Sequence, residues 1–124
     1  MTIRLKVLVV EDERLTARCL CEDLKDLGVE PLEPVSTGEK AVEMALKENL
    51  DLILMDIRLA GGMDGIEAAV KIHKNKKIPI IFMSGFVTEY VVKQTKDLGY
   101  LDFFEKPVTI ESLKPIIDQL KKDG

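Results

Sequence analysis

The chain has 124 residues, enough for one domain that buries its own core without disulfides or a structural metal. With 46% apolar and 32% charged residues it excludes wholesale disorder, and a net charge of −4 argues against non-specific nucleic-acid binding, which needs a basic surface. No run approaches the roughly 18 apolar residues of a membrane span, and the amino terminus lacks the basic, apolar and small-residue blocks of a signal peptide.

The β-branched and leucine-rich run LKVLVV (5–10) predicts a buried first strand. ERLTARCLCEDLKDLG (13–28) sets Leu20, Leu24 and Leu27 at helical spacing, with Gly28 as a stop. VEPLEPVS (29–36) holds two prolines and predicts an edge strand. TGEKAVEMALKENL (37–50) predicts a helix with Ala41, Val42, Ala45 and Leu46 on one stripe and Thr37 as N-cap. DLILMD (51–56) is a continuous apolar strand, MDGIEAAVKIHKN (63–75) a helix capped by Asp64, and IPIIFMS (78–84) another buried strand. TEYVVKQTKDLG (88–99) predicts a helix ended by Gly99, and YLDFFEK (100–106) a short strand. TIESLKPIIDQLKK (109–122) predicts a helix opened by a T-x-x-S capping pattern, kinked or started late because of Pro115.

Central strands without polar alternation are buried on both faces, so five βα units predict one α/β domain over residues 1–124 with a doubly wound parallel sheet. Met55, Met63 and Met83 read as packing, the basic run KIHKNKK (71–77) as a solvated helix end, and His73 within it as an exposed helix residue. Cys19 and Cys21, two apart on a helix, point different ways and lack zinc-ligand neighbours; they read as free thiols of a reducing cytoplasm.

Ligands of a parallel α/β sheet sit beyond the carboxyl ends of its strands. There the first strand delivers Glu11 and Asp12, the third Asp56, the fourth Ser84 and the fifth Lys106. Two unit charges ~4 Å apart repel by about 4 kcal/mol at an effective dielectric near 20, so something positive has to offset three carboxylates. Lys106 is one source. A divalent cation is the other, and an all-oxygen set with open positions suits Mg²⁺. Together these groups compose a phosphoryl-transfer set. Asp56 is the nucleophile that becomes an acyl phosphate, Lys106 and the metal neutralise the transferring oxygens, and Ser84 donates a hydrogen bond to one of them.

VLVVEDE (7–13), LILMDIRL (52–59), MDGIEA (63–68), IIFMSG (80–85) and FFEKP (103–107), in this order, resemble the receiver domain of two-component response regulators over essentially the whole chain. The resemblance implies a flavodoxin-like (βα)5 fold of strand order 2-1-3-4-5. It implies that Asp56 accepts a phosphoryl group from a phosphohistidine of a sensor histidine kinase or phosphotransfer protein. Glu11, Asp12, Asp56 and the backbone carbonyl of Arg58 would hold Mg²⁺. Lys106 would bind the phosphoryl group, Ser84 and Phe103 would be the switch hydroxyl and switch aromatic, and Arg58 and Phe86 would border the path of the hydrolytic water. The switching face would be that of the fourth helix, fifth strand and fifth helix, with a homodimer on phosphorylation left open and no direct contact with nucleic acid or membrane.

The chain departs from the family pattern in three places. The acidic pair is Glu-Asp, which implies that Glu11 acts through water. Gly61-Gly62 stand where a proline is usual, in a loop one residue longer. The hydroxyl is a serine and the aromatic a phenylalanine, which has no phenolic bond to exchange.

Rival readings each miss a feature. An aspartate-nucleophile phosphatase of the haloacid dehalogenase type carries a second aspartate where this chain has Arg58. A flavodoxin-like electron carrier carries a Ser/Thr/Gly-rich loop where this chain has EDERLTAR. A phospho-independent interaction module would lack site residues, and none is missing. The expectation is a cytoplasmic signalling receiver that catalyses its own phosphorylation and dephosphorylation without being a turnover enzyme. No output domain follows residue 124, so a free-standing regulator and a piece of a longer one both fit.

Overall fold

The computed structural model describes residues 4–86, 89–96 and 102–123. Along the chain run β1 (Lys6–Val10), α1 (Arg14–Asp26), β2 (Glu30–Pro31), α2 (Gly38–Lys47) and β3 (Leu52–Asp56). These are followed by α3 (Gly65–His73), β4 (Ile80–Ser84), α4 (Glu89–Thr95), β5 (Asp102–Glu105) and α5 (Ile110–Asp123). The strands form one parallel sheet in the order β2-β1-β3-β4-β5, as the family resemblance implied. No described helix is long and apolar enough to cross a membrane.

Strand alternation divides the core between the two faces of the sheet. Val7, Val9, Leu52, Leu54, Ile81 and Met83 pack with Ala17, Leu20 and Leu24 of α1 and with Leu113 and Ile117 of α5. Leu8, Val10, Ile53, Met55, Ile80 and Phe82 pack with Ala41 and Ala45 of α2 and with Ala68, Ala69 and Ile72 of α3. β1, β3 and β4 are covered on both sides, which is why their sequences run apolar without a break. Each large side chain so buried stabilises by about 1.5–3 kcal/mol, and that burial holds the strand ends in place.

The expected edge strand over 29–36 shrinks to Glu30–Pro31, because prolines at 31 and 34 cannot donate to the ladder. Its rungs resume farther along: Val35 N–H donates to the Val9 carbonyl, and Glu11 N–H to the Val35 carbonyl. α2 stops at Lys47 rather than Leu50, since Leu50 turns into the core and the Asp51 carboxylate accepts from Lys6 N–H. Thr37 caps α2 as expected, accepting from Lys40 N–H at 3.1 Å. Gly28 ends α1 with φ +79°, and Lys121 Nζ reaches back to the Leu27 carbonyl.

Pro115 neither delays nor ends α5, which opens at Ile110 with Thr109 Oγ1 accepting from Ser112 N–H. The carbonyl that a non-proline at 115 would serve belongs to Glu111. Both residues are exposed, so water can serve it. His73 is half-buried rather than exposed, with Nε2 donating to the Ile78 carbonyl at 2.9 Å. Lys76 is likewise not simply solvated: its Nζ donates to the Glu48 carbonyl just past α2. Cys19 is exposed and Cys21 buried, as their spacing demanded. The expected helix stop at Gly99 and strand start at Tyr100 lie outside the described residues.

α3 begins at Gly65, two residues later than expected, behind a reciprocal cap. Asp64 Oδ1 accepts from Glu67 N–H at 2.8 Å, and Glu67 Oε1 accepts from Asp64 N–H at 3.2 Å. Asp64→Ala is expected to lower unfolding stability by about 0.5–2 kcal/mol. Chemical denaturation checks it; a midpoint equal to the parent's would show that the cap carries no stability.

Candidate functional site

Three strand ends meet at one edge of the sheet. Glu11 follows Val7 and Val9 of β1, Asp56 follows Leu52 and Leu54 of β3, and Lys106 follows Phe104 of β5. Each is the next residue of a row facing α1 and α5, so period-two alternation sends all three side chains toward that face. Backbone bonds fix their starting points. Asp56 pairs with Met83 in register, Ile57 N–H donates to the Met83 carbonyl, and Lys106 N–H donates to the Ser84 carbonyl at 2.7 Å.

The side chains converge. Lys106 Nζ lies 2.5 Å from Glu11 Oε1 and 2.6 Å from Asp56 Oδ2, bridging the two carboxylates. Glu11 and Asp56 are almost wholly buried, at 3% and 4% exposure, so their charges are desolvated and this ammonium is their direct counter-charge. The remaining oxygens are engaged too: Asp56 Oδ1 accepts from Arg58 N–H at 3.1 Å, and Glu11 Oε2 from Glu13 N–H at 3.2 Å. Asp12 sits at the rim, exposed. One carboxylate oxygen from each of Glu11, Asp12 and Asp56 lies within 4.8 Å of the others.

Charge balance explains the titration behaviour. Desolvation alone would lower the Lys106 pKa, but its hydrogen bonds to Asp56 and Glu11 outweigh that and hold it above 10.5. Lost hydration, then the Glu11 carboxylate beside it, raise the Asp12 pKa above 3.8, with Lys106 opposing. Three carboxylates thus face one ammonium, and Asp12 bears the excess.

Ser84 stands elsewhere. It continues the row of Ile80 and Phe82, on the side of the sheet that faces α2 and α3. Its hydroxyl donates to the Phe86 carbonyl at 2.8 Å and accepts from Phe86 N–H at 3.1 Å. Phe103 belongs to the same side, half-buried, its ring centroid 6.1 Å from that of Phe82. The hydroxyl and the aromatic therefore lie on the same side of adjacent strands, Phe103 in register with Phe82 and Ser84 with Glu105, while the charged cluster occupies the opposite rows. The Phe86 side chain is 76% exposed, and Arg58 is also exposed.

The sequence pointed to Lys106 as the counter-charge, but two contacts at the site go beyond it. Glu11 bonds Lys106 directly, a reach that its extra methylene over aspartate makes possible. Phe86 engages Ser84 through backbone groups, which side-chain reasoning does not see.

The two charge effects give opposite expectations for single substitutions in metal-free protein. Lys106→Met is expected to destabilise by about 1–3 kcal/mol at pH 7, below the cost for a fully buried pair because Lys106 keeps some exposure. A raised folded pKa contributes stability below the unfolded value, and this is lost as pH climbs through the folded one. Asp12 has thus lost its contribution by neutral pH. Asp12→Asn should raise the melting temperature at pH 7 slightly, since the exposed carboxylate is screened by solvent, with the gain gone once pH falls below 3.8. Thermal melts across pH test both; shifts of the same sign would contradict the charge assignment.

Comparison with known proteins agrees with this geometry. A family model described as the response regulator receiver domain matches residues 7–118. The transcriptional regulatory protein PdtaR of Mycobacterium tuberculosis is 34% identical over 113 residues, covering 91% of this chain and 55% of that protein, so the chain spans about half the length of that relative. The sporulation initiation phosphotransferase F of Bacillus subtilis is 30% identical over 118 residues, covering 94% of this chain and 91% of that one. Among solved structures, the receiver domain of a Pseudomonas aeruginosa sensor histidine kinase, with a magnesium ion coordinated in its active-site cleft, superposes with a TM-score of 0.85 at 26% identity, covering 97% of this chain and 99% of that one. On these matches, the strand order and the strand-end acidic cleft, the chain belongs to the response regulator receiver family and is a phosphoacceptor receiver domain of two-component signalling.

Proposed function

We propose that Asp56 is the phosphoacceptor, taking a phosphoryl group from a phosphohistidine on a sensor histidine kinase or phosphotransfer protein. The observation that carries this reading is the Lys106 ammonium held between Asp56 and Glu11 at the mouth of the sheet. A nucleophilic carboxylate with a cation already on one of its oxygens is what transfer of an anionic group requires.

The donor set also fits Mg²⁺. Three carboxylate oxygens within 4.8 Å of one another form a hard, all-oxygen cluster with two negative charges that Lys106 does not balance. Glu11, Asp12, Asp56 and the Arg58 carbonyl would hold the ion, which when bound would draw charge from the oxygens of the transferring group. In the transfer, a carboxylate oxygen of Asp56 forms a bond to phosphorus as the P–N bond of the donor breaks, and the electron pair returns to the imidazole nitrogen. Arg58 N–H holds Oδ1 and so orients the nucleophile. Lys106 neutralises a phosphoryl oxygen once it leaves Glu11; as a point charge on a flexible stem it can follow that oxygen.

The switch follows from the one proton on Ser84. Its neutral bonds to Phe86 contribute about 0.5–1.5 kcal/mol each, whereas a bond to a charged group contributes about 1.5–3 kcal/mol. A phosphoryl group carrying about −1.5 to −2 charges therefore outcompetes the Phe86 carbonyl for the hydroxyl. Losing that bond releases the Phe86 backbone and alters the space beside Phe103, changing the face made by α4, β5 and α5. Inverting a 1:99 equilibrium needs roughly 5.5 kcal/mol, more than one hydroxyl supplies, so Lys106 and a bound partner contribute the remainder.

Mixing the protein with Mg²⁺ and a small acyl phosphate is expected to add about 80 Da, the mass of one phosphoryl group, and Asp56→Asn to abolish the adduct with the fold retained. Intact-mass spectrometry and circular dichroism check this. Catalytic release of phosphate without an adduct would make it a phosphatase, and no reaction would leave only a binding module.

Arg58 and Phe86 are both exposed, each two residues beyond a strand-end residue, Asp56 and Ser84. Arg58→Ala with Phe86→Ala is expected to shorten the lifetime of the phosphorylated form severalfold by opening the path of the attacking water. An unchanged decay of the adduct would remove the two side chains from that role.

A further inference from the structure

We propose that Gly65 is a positioning residue for phosphoryl transfer, acting through the backbone of the phosphoacceptor; this rests on Asp56 being that acceptor. A methyl group on Gly65 would collide with the Asp56 carbonyl oxygen and come within 2.9 Å of both the Asp56 carbonyl carbon and Met55 Cγ. The first of these neighbours is backbone at the end of β3, the central strand, where Met55 and Asp56 are locked in register with Phe82 and Met83, so it cannot yield. Gly65 has no positive φ to explain its identity; proximity is the only requirement.

That proximity closes a loop. Gly65 N–H donates to the Ile57 carbonyl at 2.8 Å, so the chain leaving Asp56 returns to its own start eight residues later. Between these points lies Arg58, whose N–H holds Asp56 Oδ1 and whose carbonyl is offered to the metal in the reading above. The reciprocal cap of Asp64 and Glu67 fixes the first turn of α3 just where Gly65 meets the strand. Adding one carbon at 65 therefore displaces α3 or the loop 57–64, and either motion carries the Arg58 peptide away from the Asp56 carboxylate. Reaction rates respond to such shifts more steeply than stability does, since a misplacement of about 1 Å costs on the order of 100-fold.

The loop supplies its own control. A methyl group on Gly62 would meet no atom within 4 Å, and its φ is not positive, so Gly62→Ala alters the same loop without touching Asp56.

The test compares Gly65→Ala, Gly62→Ala and the parent in three readouts, each normalised to the folded fraction by circular dichroism. These are the rate of labelling by a small acyl phosphate at saturating donor, direct titration with Mg²⁺ alone, and the amide nitrogen shift of Arg58. Gly65→Ala is expected to label about 10- to 100-fold more slowly, to bind Mg²⁺ more weakly and to shift the Arg58 amide, with Gly62→Ala within about twofold of the parent. Labelling and Mg²⁺ binding by folded Gly65→Ala within twofold of the parent would overturn the proposal. If Gly65→Ala does not fold, Asp64→Ala with Glu67→Ala loosens the same helix end without an added atom near Asp56; weaker Mg²⁺ binding supports the proposal and parental binding overturns it. A parent that neither labels nor binds Mg²⁺ would instead remove the assignment of Asp56 on which the proposal stands.

Discussion

One ammonium group between two buried carboxylates is the constraint on which this molecule turns. Lys106 arrives from the fifth strand, Glu11 from the first and Asp56 from the third; β1 and β3 are neighbours, and β4 lies between β3 and β5. Burying Glu11 and Asp56 without a counter-charge would cost several kcal/mol per ion. The sheet is thus closed at this edge by electrostatics as well as by packing. The balance is deliberately incomplete in the chemical sense: Asp12 and one further negative charge remain uncompensated, and a cleft in that state attracts cations and the groups that cations accompany.

Strand alternation then separates chemistry from response. The charged row lies above the α1 and α5 side of the core, and Ser84 and Phe103 lie above the α2 and α3 side. Ser84 is one residue from Met83, the register partner of Asp56, and its hydroxyl is engaged by the backbone of Phe86 on the segment leading to α4. A change at the carboxylate can therefore reach the far side of the sheet by drawing one hydroxyl across one strand. In the proposed switch Phe103 would have only volume to transmit, since it has no phenolic group to exchange partners.

Much of this was legible in the residues themselves. Unbroken apolar runs in β1, β3 and β4 announced a sheet covered on both faces, and the polar residues beyond β1, β3 and β5 pointed to Glu11, Asp12, Asp56 and Lys106 at one edge, whereas Ser84, read with them, turns to the other face. The strand order came from the family resemblance rather than from periodicity, which carries no information on pairing. What stayed hidden was contact chemistry between backbone and distant groups. His73 and Lys76 read as solvated because sequence does not show the carbonyls of Ile78 and Glu48 that they reach. Pro115 read as a kink or a late start because the exposure of Glu111 was not visible. Gly65 read as part of a motif, whereas its reason is a carbonyl eight or nine residues back in the chain.

The central claim is that the bridge held by Lys106 is the resting form of a phosphoryl site. The most direct measurement is a crystal structure of the protein with Mg²⁺ and beryllofluoride, a mimic of a bound phosphoryl group. The account predicts beryllium bonded to a carboxylate oxygen of Asp56, Lys106 Nζ moved from Glu11 onto a fluorine, and the Ser84 hydroxyl turned from Phe86 toward another. Beryllofluoride absent from Asp56, or bound there with Lys106 still on Glu11 and Ser84 still on Phe86, would contradict it.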